Sequence, residues 1–510
     1  MSKEEEVYDF VIIGSGIGGL ECAYILSDEG YKVKVLEKNH QIGGNLQVFS
    51  REKRILDTGV HYIGSLDEGE CLNQYFKYFG LRDSLKWYRL DDDCFDMVSF
   101  SDGSQYKLGQ GYDQFKANLY EYFPEEKEAI DSYCDRIQEI CEVFPLYNLE
   151  SETPDDYMLE LEMLSTNAVE FLDSLTENKR LKAVLGGNNA LYAGEKEVTP
   201  LYVHALISNS FIMGSYRLEN GGAQIAISLM RSIQKNGGKL ERNKNVIGAN
   251  YDEKGNITEV VLKNGETVKG KNFISNVHPA VTIDVFGQDH FLKAYAKRVK
   301  NLENTPSSFI MHVILKDVTF KYLNHNIYHH PNDEVWDGPN YTEDNWGESL
   351  FICTPKSSKS DEYADSLTVM AYMNYEDVEK WKSTMNTIKE PGDRGEEYAQ
   401  FKKEKETILI EKIKELFPEI ENSIQSVYSS TPLTLRDYIG DYEGSLYGVK
   451  RNSNAPLRSI IKSKTKIPNL YLTGQNLVLH GILGATISAF LTCFNFVEKE
   501  KLMAKVNAIK

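Results

Sequence analysis

The sequence predicts an α/β protein: a layer of parallel strands and helices of the nucleotide-binding kind, with α+β material inserted into it. Three observations lead there. Residues Val7 to Ile13 form a short apolar run of the sort that fills a buried parallel strand. A glycine-rich loop, Gly14-Ser15-Gly16-Ile17-Gly18-Gly19, follows at once. The same glycine-punctuated texture returns at 221–276 and at 468–496, separated from the first stretch by blocks of different character.

The elements follow in order. Apolar positions at Ile17, Leu20, Ala23, Tyr24 and Ile25 have helical spacing and predict a helix over Ile17–Glu29, stopped by Gly30. Tyr31–Glu37 alternates and predicts the second strand. From about Ser84 to Gly214 the glycines thin out, and charged amphipathic stretches such as Asp113–Glu142 and Asp156–Leu175 predict helices. A helix over Ala223–Asn236 leads into Lys239–Tyr251. Turns at Gly255-Asn256 and Asn264-Gly265 then separate Ile257–Lys263 from Glu266–Ser275, which makes a β-meander. Residues 286–454 form a second inserted block, in which Glu397–Phe417 is a charged helix with a solvated face. The chain closes on a strand, a glycine turn and an apolar helix over 468–496.

Composition narrows the function. With 510 residues, the chain is long enough for two or three domains. Its 57 basic and 76 acidic residues leave a formal charge of −19, which repels phosphate backbones and sets nucleic acid aside as a partner. The seven scattered cysteines contain no CxxC pair, so a zinc site is not expected and a reducing compartment is. The stretch Met1-Ser-Lys-Glu-Glu-Glu enters the first strand by Val7 without a signal peptide. No apolar run reaches the roughly 18 residues of a membrane span. A cytoplasmic protein is the expectation.

The loop carries the chemistry. In Gly14-x-Gly16-x-x-Gly19 the first glycine makes the turn, the second lets the backbone approach a pyrophosphate, and the third lets helix and strand pack closely. The helix N-terminus then offers free N–H groups to phosphate. A lone motif of this kind is weak evidence, but here a strand precedes it and a helix follows. Glu37 also lies 18 residues past Gly19, placed for ribose hydroxyls. FAD and NAD share this fingerprint. Two features favour FAD: Gly43-Gly44 soon after Glu37, and Asn469-Leu-Tyr-Leu-Thr-Gly-Gln-Asn, which brings the C-terminal region back toward a cofactor. No second GxGxxG follows a strand, so a dedicated NAD(P)H domain is not expected; NAD(P)H or another external electron donor stays open, and the direction of electron flow is not written in the sequence.

The chain resembles the phytoene desaturase and carotenoid isomerase superfamily of flavoproteins, nearest its retinol-saturase branch. The matching stretches run in order over nearly the whole length: Asp57-Thr-Gly-Val-His-Tyr-Ile-Gly, Thr199-Pro through His204-Ala-Leu, Gly221-Gly-Ala-Gln-Ile-Ala, Ser430-Thr-Pro-Leu-Thr, and Pro468-Asn-Leu-Tyr-Leu-Thr-Gly-Gln-Asn with Gly481-Ile-Leu-Gly-Ala. The resemblance implies a Rossmann-like FAD-binding domain made of 1–83, 215–285 and 455–510. It also implies an inserted substrate domain made of 84–214 and 286–454, with an apolar tunnel to the flavin. It implies that Gly14, Ser15, Gly16, Gly18, Gly19, Glu37, Lys38, Gly43, Gly44, Val246, Gly474, Gln475, Gly481 and Leu483 hold the FAD. Val246 would meet the adenine side through its backbone, and Gln475 the ribitol or pyrophosphate.

The implied activity is FAD-dependent oxidoreduction at C–C or C=C bonds of an apolar polyene or isoprenoid. Desaturation and cis–trans isomerisation on the same flavin are the alternatives, and reversible docking to lipid is the implied route for such a substrate. Two catalytic candidates follow. His61, in the stretch that returns the chain toward the isoalloxazine ring, would touch the flavin or protonate a substrate carbon, or else be a hydrogen-bonded core histidine. His480 precedes the last helix, whose N-terminus would face the flavin N1–C2=O edge. His329-His330 reads as a surface loop and no metal site is expected. The absence of a Gly-x-Ser-x-Gly elbow removes hydrolase chemistry. Prenyl-binding escort proteins resemble this fold and bind lipidated partners without flavin chemistry; the intact Gly14–Gly19 loop, Glu37 and Thr473-Gly474 argue against that reading.

Overall fold

The structure, a computed structural model, describes residues 6–151 and 161–509. Two seven-stranded sheets organise it. The first runs Val246–Tyr251, Ile257–Leu262, Thr267–Ser275, Val7–Ile13, Val33–Leu36, Lys239–Glu241, and Leu470–Leu472 lies beside Thr267–Ser275. Pairing is parallel among the strands beginning at Val7, Val33, Lys239, Thr267 and Leu470 and antiparallel in the meander. This is the predicted Rossmann-like α/β layer. Its first strand is buried on both faces, as a parallel sheet demands. Phe10 and Ile12 point into one core with the helices Ile17–Asp28, Ala223–Lys235 and Gly481–Cys493, while Val11 and Ile13 point into another with the meander and Phe286.

Two details differ from the expectation. Lys239–Tyr251 is not one strand. The chain turns at Asn243, in the left-handed region at φ 60°, and the halves Lys239–Glu241 and Val246–Tyr251 sit at opposite edges of the sheet. The strand expected over Tyr31–Glu37 shortens to Val33–Leu36, with no exposed side, because neighbours flank it on both edges and helices cover it. Its one charged residue, Lys34, is accommodated by Glu241 of the next strand, with Nζ 2.6 Å from the carboxylate.

The second sheet runs Ile424–Ser430, Ser307–Leu315, Ser366–Met373, Leu350–Cys353, Asn326–His330, Asp96–Phe100, Gln105–Leu108. Its strands are buried throughout along Ser307–Leu315, so alternation here separates two buried faces. Phe309, Met311, Val313 and Leu315 pack with Leu409 and Ile413 of the helix Glu396–Leu416. Ser308 and Ile310 face a cavity between the sheets. The helix expected to be a solvated charged segment therefore covers one face of this sheet with its apolar stripe. The stretch Asp113–Glu142 is two helices, Tyr112–Tyr122 and Lys127–Glu142, with Pro124 in the break. Of the predicted 156–175 segment, 156–160 lies outside the described residues; the rest is helical at Leu161–Ser165 and Ala168–Leu175. Among the described residues no helix is long and apolar enough to cross a membrane.

Candidate active site

The parallel strands of the first sheet all deliver their carboxyl ends to one large cavity. Val7–Ile13 ends at Gly14, Val33–Leu36 at Glu37, Thr267–Ser275 at Asn276, and Leu470–Leu472 at Thr473-Gly474, and each of these lines it. That is where ligands bind in open α/β sheets, since loops leaving the strand ends form the crevice.

At the base of the cavity the backbone is packed too tightly for side chains. A Cβ on Gly16 would lie 2.7 Å from Asn276 Nδ2, one on Gly18 3.0 Å from Gly474 Cα, and one on Gly19 2.4 Å from the Gly14 carbonyl oxygen. Gly14 and Gly474 turn the chain at φ 91° and 100°, conformations open to glycine and strained for other residues. Gly43 pairs with Gly16, and its N–H donates to the Ser15 carbonyl at 3.1 Å, which brings Gly43 and Gly44 over the loop. The helix Ile17–Asp28 has Gly16 at its N-cap and no capping side chain. The helix Gly481–Cys493 has His480 there and likewise none. Two uncapped helix N-termini therefore open on the same cavity, leaving backbone N–H donors and two positive dipole ends for an anionic or electron-rich ligand. This cradle fits a pyrophosphate-bearing flavin.

Gly14, Ser15, Gly16, Gly18, Glu37, Lys38, Gly43, Gly44, Val246, Gly474, Gln475, Gly481 and Leu483 all line the cavity. Gly19 does not. A Cβ there would meet the Gly14 carbonyl oxygen, the close helix–strand packing expected of the third glycine of the motif. Glu37 is held in place by the Ser15 N–H at 3.0 Å, the Ser15 hydroxyl and the Asn39 N–H at 2.8 Å. Burial lowers the Lys38 ammonium and raises the Asp441 carboxyl to about 6, each opposed by the other's charge. Asp57 accepts the Gly222 N–H at 2.9 Å and so ties two of the quoted stretches together; burial raises its carboxyl to about 7.

His61 lies on the wall with neither ring nitrogen hydrogen-bonded, its ring 5.5 Å from that of Phe351. Burial, reinforced by Arg217, lowers it to about 4, so it is neutral at neutral pH. The His480 Nε2–H donates to the Val449 carbonyl oxygen at 3.1 Å, and the ring stacks on Tyr447. It too is held neutral, at about 3, by burial and then by Arg451. Neither histidine carries a cationic acid's proton. His329-His330 is corrected from a surface loop: both residues are buried in the strand Asn326–His330. His329 bonds Ser99 and Ser101 on one face, and His330 bonds the Gly187 carbonyl on the other. Among the described residues no group of three or more His, Cys, Asp or Glu side chains is placed to hold a metal.

Sequence reasoning missed Asn276, Tyr62, Tyr328 and Asp96. Asn276 was findable from topology, because it follows the last strand of the meander as Gly14 follows the first strand. Tyr62 and Tyr328 each adjoin a histidine, a residue type with the stronger acid–base signal. Asp96 was visible only as a lone carboxylate in the apolar run Cys94-Phe-Asp-Met-Val.

The cavity's charged lining residues are Glu37, Lys38, Lys244 and Asp441, all on the nucleotide side. The far wall, with Leu191, Leu206, Phe211, Ile310, Phe351 and Met370 among its members, has none.

Comparison with known proteins agrees with this geometry. Over 549 aligned residues the chain is 29% identical to an all-trans-retinol 13,14-reductase of Danio rerio, covering 98% of this chain and 88% of the relative. It is 24% identical to a chloroplastic prolycopene isomerase of an Oncidium hybrid cultivar, covering 93% and 81%. In three dimensions it resembles an oxidoreductase from Methanosarcina mazei at a TM-score of 0.63 and 16% identity, covering 94% and 98%, a likeness of fold. Residues 17–493 match the family described as flavin containing amine oxidoreductase, and with the glycine cradle and two open helix ends already in place, the chain belongs to that family.

Proposed function

We propose that the protein is an FAD-dependent oxidoreductase that reduces a C=C bond of an apolar polyene or isoprenoid. The observation that carries the substrate class is the uncharged far wall of the cavity. An amine substrate is cationic and needs a nearby carboxylate or its equivalent, whereas an apolar chain needs no charged partner in the wall. The full-length similarity to all-trans-retinol 13,14-reductase supports the same reading. On it, residues 1–83, 215–285 and 455–510 hold the FAD, and 84–214 with 286–454 hold the substrate.

Bound flavin supplies two-electron, hydride-equivalent chemistry. The chain's own part is placement. The Ile17 helix and its loop would hold the pyrophosphate, with Glu37 at the ribose and Val246 at the adenine side. The Gly481 helix end would face the ring, where its dipole would favour added negative charge. His61, neutral on the cavity wall, would pack against ring or substrate, and His480 fixes the entry of that helix. An external donor, NAD(P)H or another, supplies the electrons, and the substrate is loaded from lipid by reversible docking.

The test is a single-turnover assay. Denaturation is expected to release FAD. The anaerobically reduced protein is then mixed with a panel of retinoids and carotenoids, presented in neutral liposomes, and flavin reoxidation is followed with product masses. The expected product gains two mass units. A product two units lighter, formed from oxidised FAD, would make it a desaturase. A product of unchanged mass with no net reductant consumed would make it an isomerase, as the prolycopene isomerase similarity allows.

A further inference from the structure

We propose that Tyr328 is the proton donor to the substrate, and that Asp96, acting through Tyr62, loads it. The inference rests on the reductive reading above, because reduction of a C=C bond needs a proton at one carbon for the hydride delivered to the other.

The geometry is a chain of three groups ending at the cavity. The second sheet pairs Asn326 with Asp96 in parallel register, and Tyr328 lies two residues beyond Asn326 on the same face. The Asp96 side chain is fully buried. Its Oδ1 accepts from Asn326 Nδ2 at 2.9 Å, and its Oδ2 accepts from Asn188 Nδ2 at 3.2 Å and from the Tyr62 hydroxyl at 2.9 Å. The Tyr62 and Tyr328 hydroxyl oxygens are 2.7 Å apart, and both side chains line the cavity.

Counting protons shows what the chain can do. Each phenol has one. With Asp96 ionised, Tyr62 gives its proton to the carboxylate and Tyr328 gives its own to Tyr62, so neither is offered to the cavity. With Asp96 neutral, the carboxyl proton goes to Tyr62 and the Tyr62 proton to Tyr328. The Tyr328 proton then has no acceptor among the described residues and is free for a ligand. In the reaction, the Tyr328 O–H bond breaks as the new C–H bond forms. Tyr62 reprotonates Tyr328, and Asp96 reprotonates Tyr62. The carbanion-like carbon would receive the proton, the neighbouring carbon the hydride that two-electron-reduced flavin would supply, and Asp96 regains its proton from water before the next turnover.

The groups around Asp96 set when it is loaded. Arg217 acts across Asn326, whose Oδ1 accepts from its Nη2 at 2.6 Å, and favours the carboxylate. Tyr62 and Tyr328 face it on the cavity side, and the Cys94 thiol lies on the backbone side, 3.6 Å from the Asp96 carbonyl oxygen. Burial outweighs these and raises the carboxyl to about 6. His61, on the same wall, has no comparable supply: with both nitrogens unbonded, nothing among the described residues reloads it.

The test has one arm without turnover. In protein labelled with 13C at aspartate carboxyls, the Asp96 resonance, identified by its loss in Asp96→Asn, is expected to titrate near pH 6. In the second arm, Tyr328→Phe is expected to slow polyene-dependent reoxidation by about 10²-fold, the scale of a lost general acid, with flavin content and polyene affinity retained. The parent rate is expected to fall about tenfold per pH unit above 6. Tyr62→Phe, which keeps Asp96 in place and serves if Asp96→Asn does not fold, is expected to be slow and to lose that dependence. An Asp96 midpoint below pH 4, or a Tyr328→Phe protein with the parent rate, overturns the relay. A parent that reduces no polyene defeats the substrate reading instead, and the carboxyl midpoint then decides the relay by itself.

Discussion

At the level of single residues, the cradle leaves little room. Gly16 approaches the Asn276 amide so closely that any Cβ would sit 2.7 Å from Nδ2, at the base of the cavity. Gly16→Val is therefore expected to abolish flavin retention, read as loss of the yellow absorbance after purification, while far-ultraviolet circular dichroism stays that of the parent. A yellow Gly16→Val protein would remove the cradle from the cofactor site. The motif glycines and Glu37 were legible in the sequence because their spacing follows from phosphate geometry. Gly19 was legible too, but as packing: its closest neighbour is the Gly14 carbonyl rather than the cavity. His61 and His480 show the opposite limit. Their residue type suggested acid–base chemistry, and it is burial, a property of surroundings far away in sequence, that leaves them neutral.

Elements show why the more specific stretches have their composition. Ser430-Thr-Pro-Leu-Thr opens the helix Pro432–Tyr438: Thr431 is the N-cap, Pro432 takes the first turn without needing its missing N–H, and Thr434 completes a capping box. The Thr431 hydroxyl also meets the Tyr398 hydroxyl at 2.7 Å, which fastens this helix to the one that covers the second sheet. Beyond it the chain reaches Ile439, Gly440 and Asp441 on the cavity wall beside Lys38. Thr431→Ala is expected to cost about 1–2 kcal/mol of stability, and Thr431→Ser much less, measured by denaturant unfolding at fixed flavin occupancy. Equal losses for both would assign the effect to the methyl group and not to the cap. Turns at Gly255 and Gly265 were readable because glycine marks left-handed backbone. The split of Lys239–Tyr251 was not, since nothing local says that Lys239–Glu241 pairs with a strand some two hundred residues earlier.

Over the whole molecule, the cavity is walled by segments widely separated in sequence, from Gly14 to Leu483, and by both sheets. A ligand that bridges them stabilises the folded state by its binding free energy, about 3–4 kcal/mol at concentrations 100 to 1,000 times its dissociation constant. Removing the flavin is expected to lower the thermal midpoint, and adding FAD back to raise it with rising concentration. A midpoint indifferent to flavin would mean that the cofactor does not join the two sheets.

The sequence by itself determined the α/β class, the strand–glycine loop–helix that cradles a dinucleotide, the acid at the end of the second strand, and the return of the C-terminal helix. Each of these is written in short-range spacing, because turn geometry and helix periodicity act over a few residues. Only the tertiary structure decided that Asn276 sits at the centre of the glycine cluster, that the histidines are uncharged, and that Asp96, Tyr62 and Tyr328 form one hydrogen-bonded chain. Those depend on which strand ends meet and on how far water is excluded between two sheets. The register between Asp96–Phe100 and Asn326–His330, set by packing across more than two hundred residues, has no local signature.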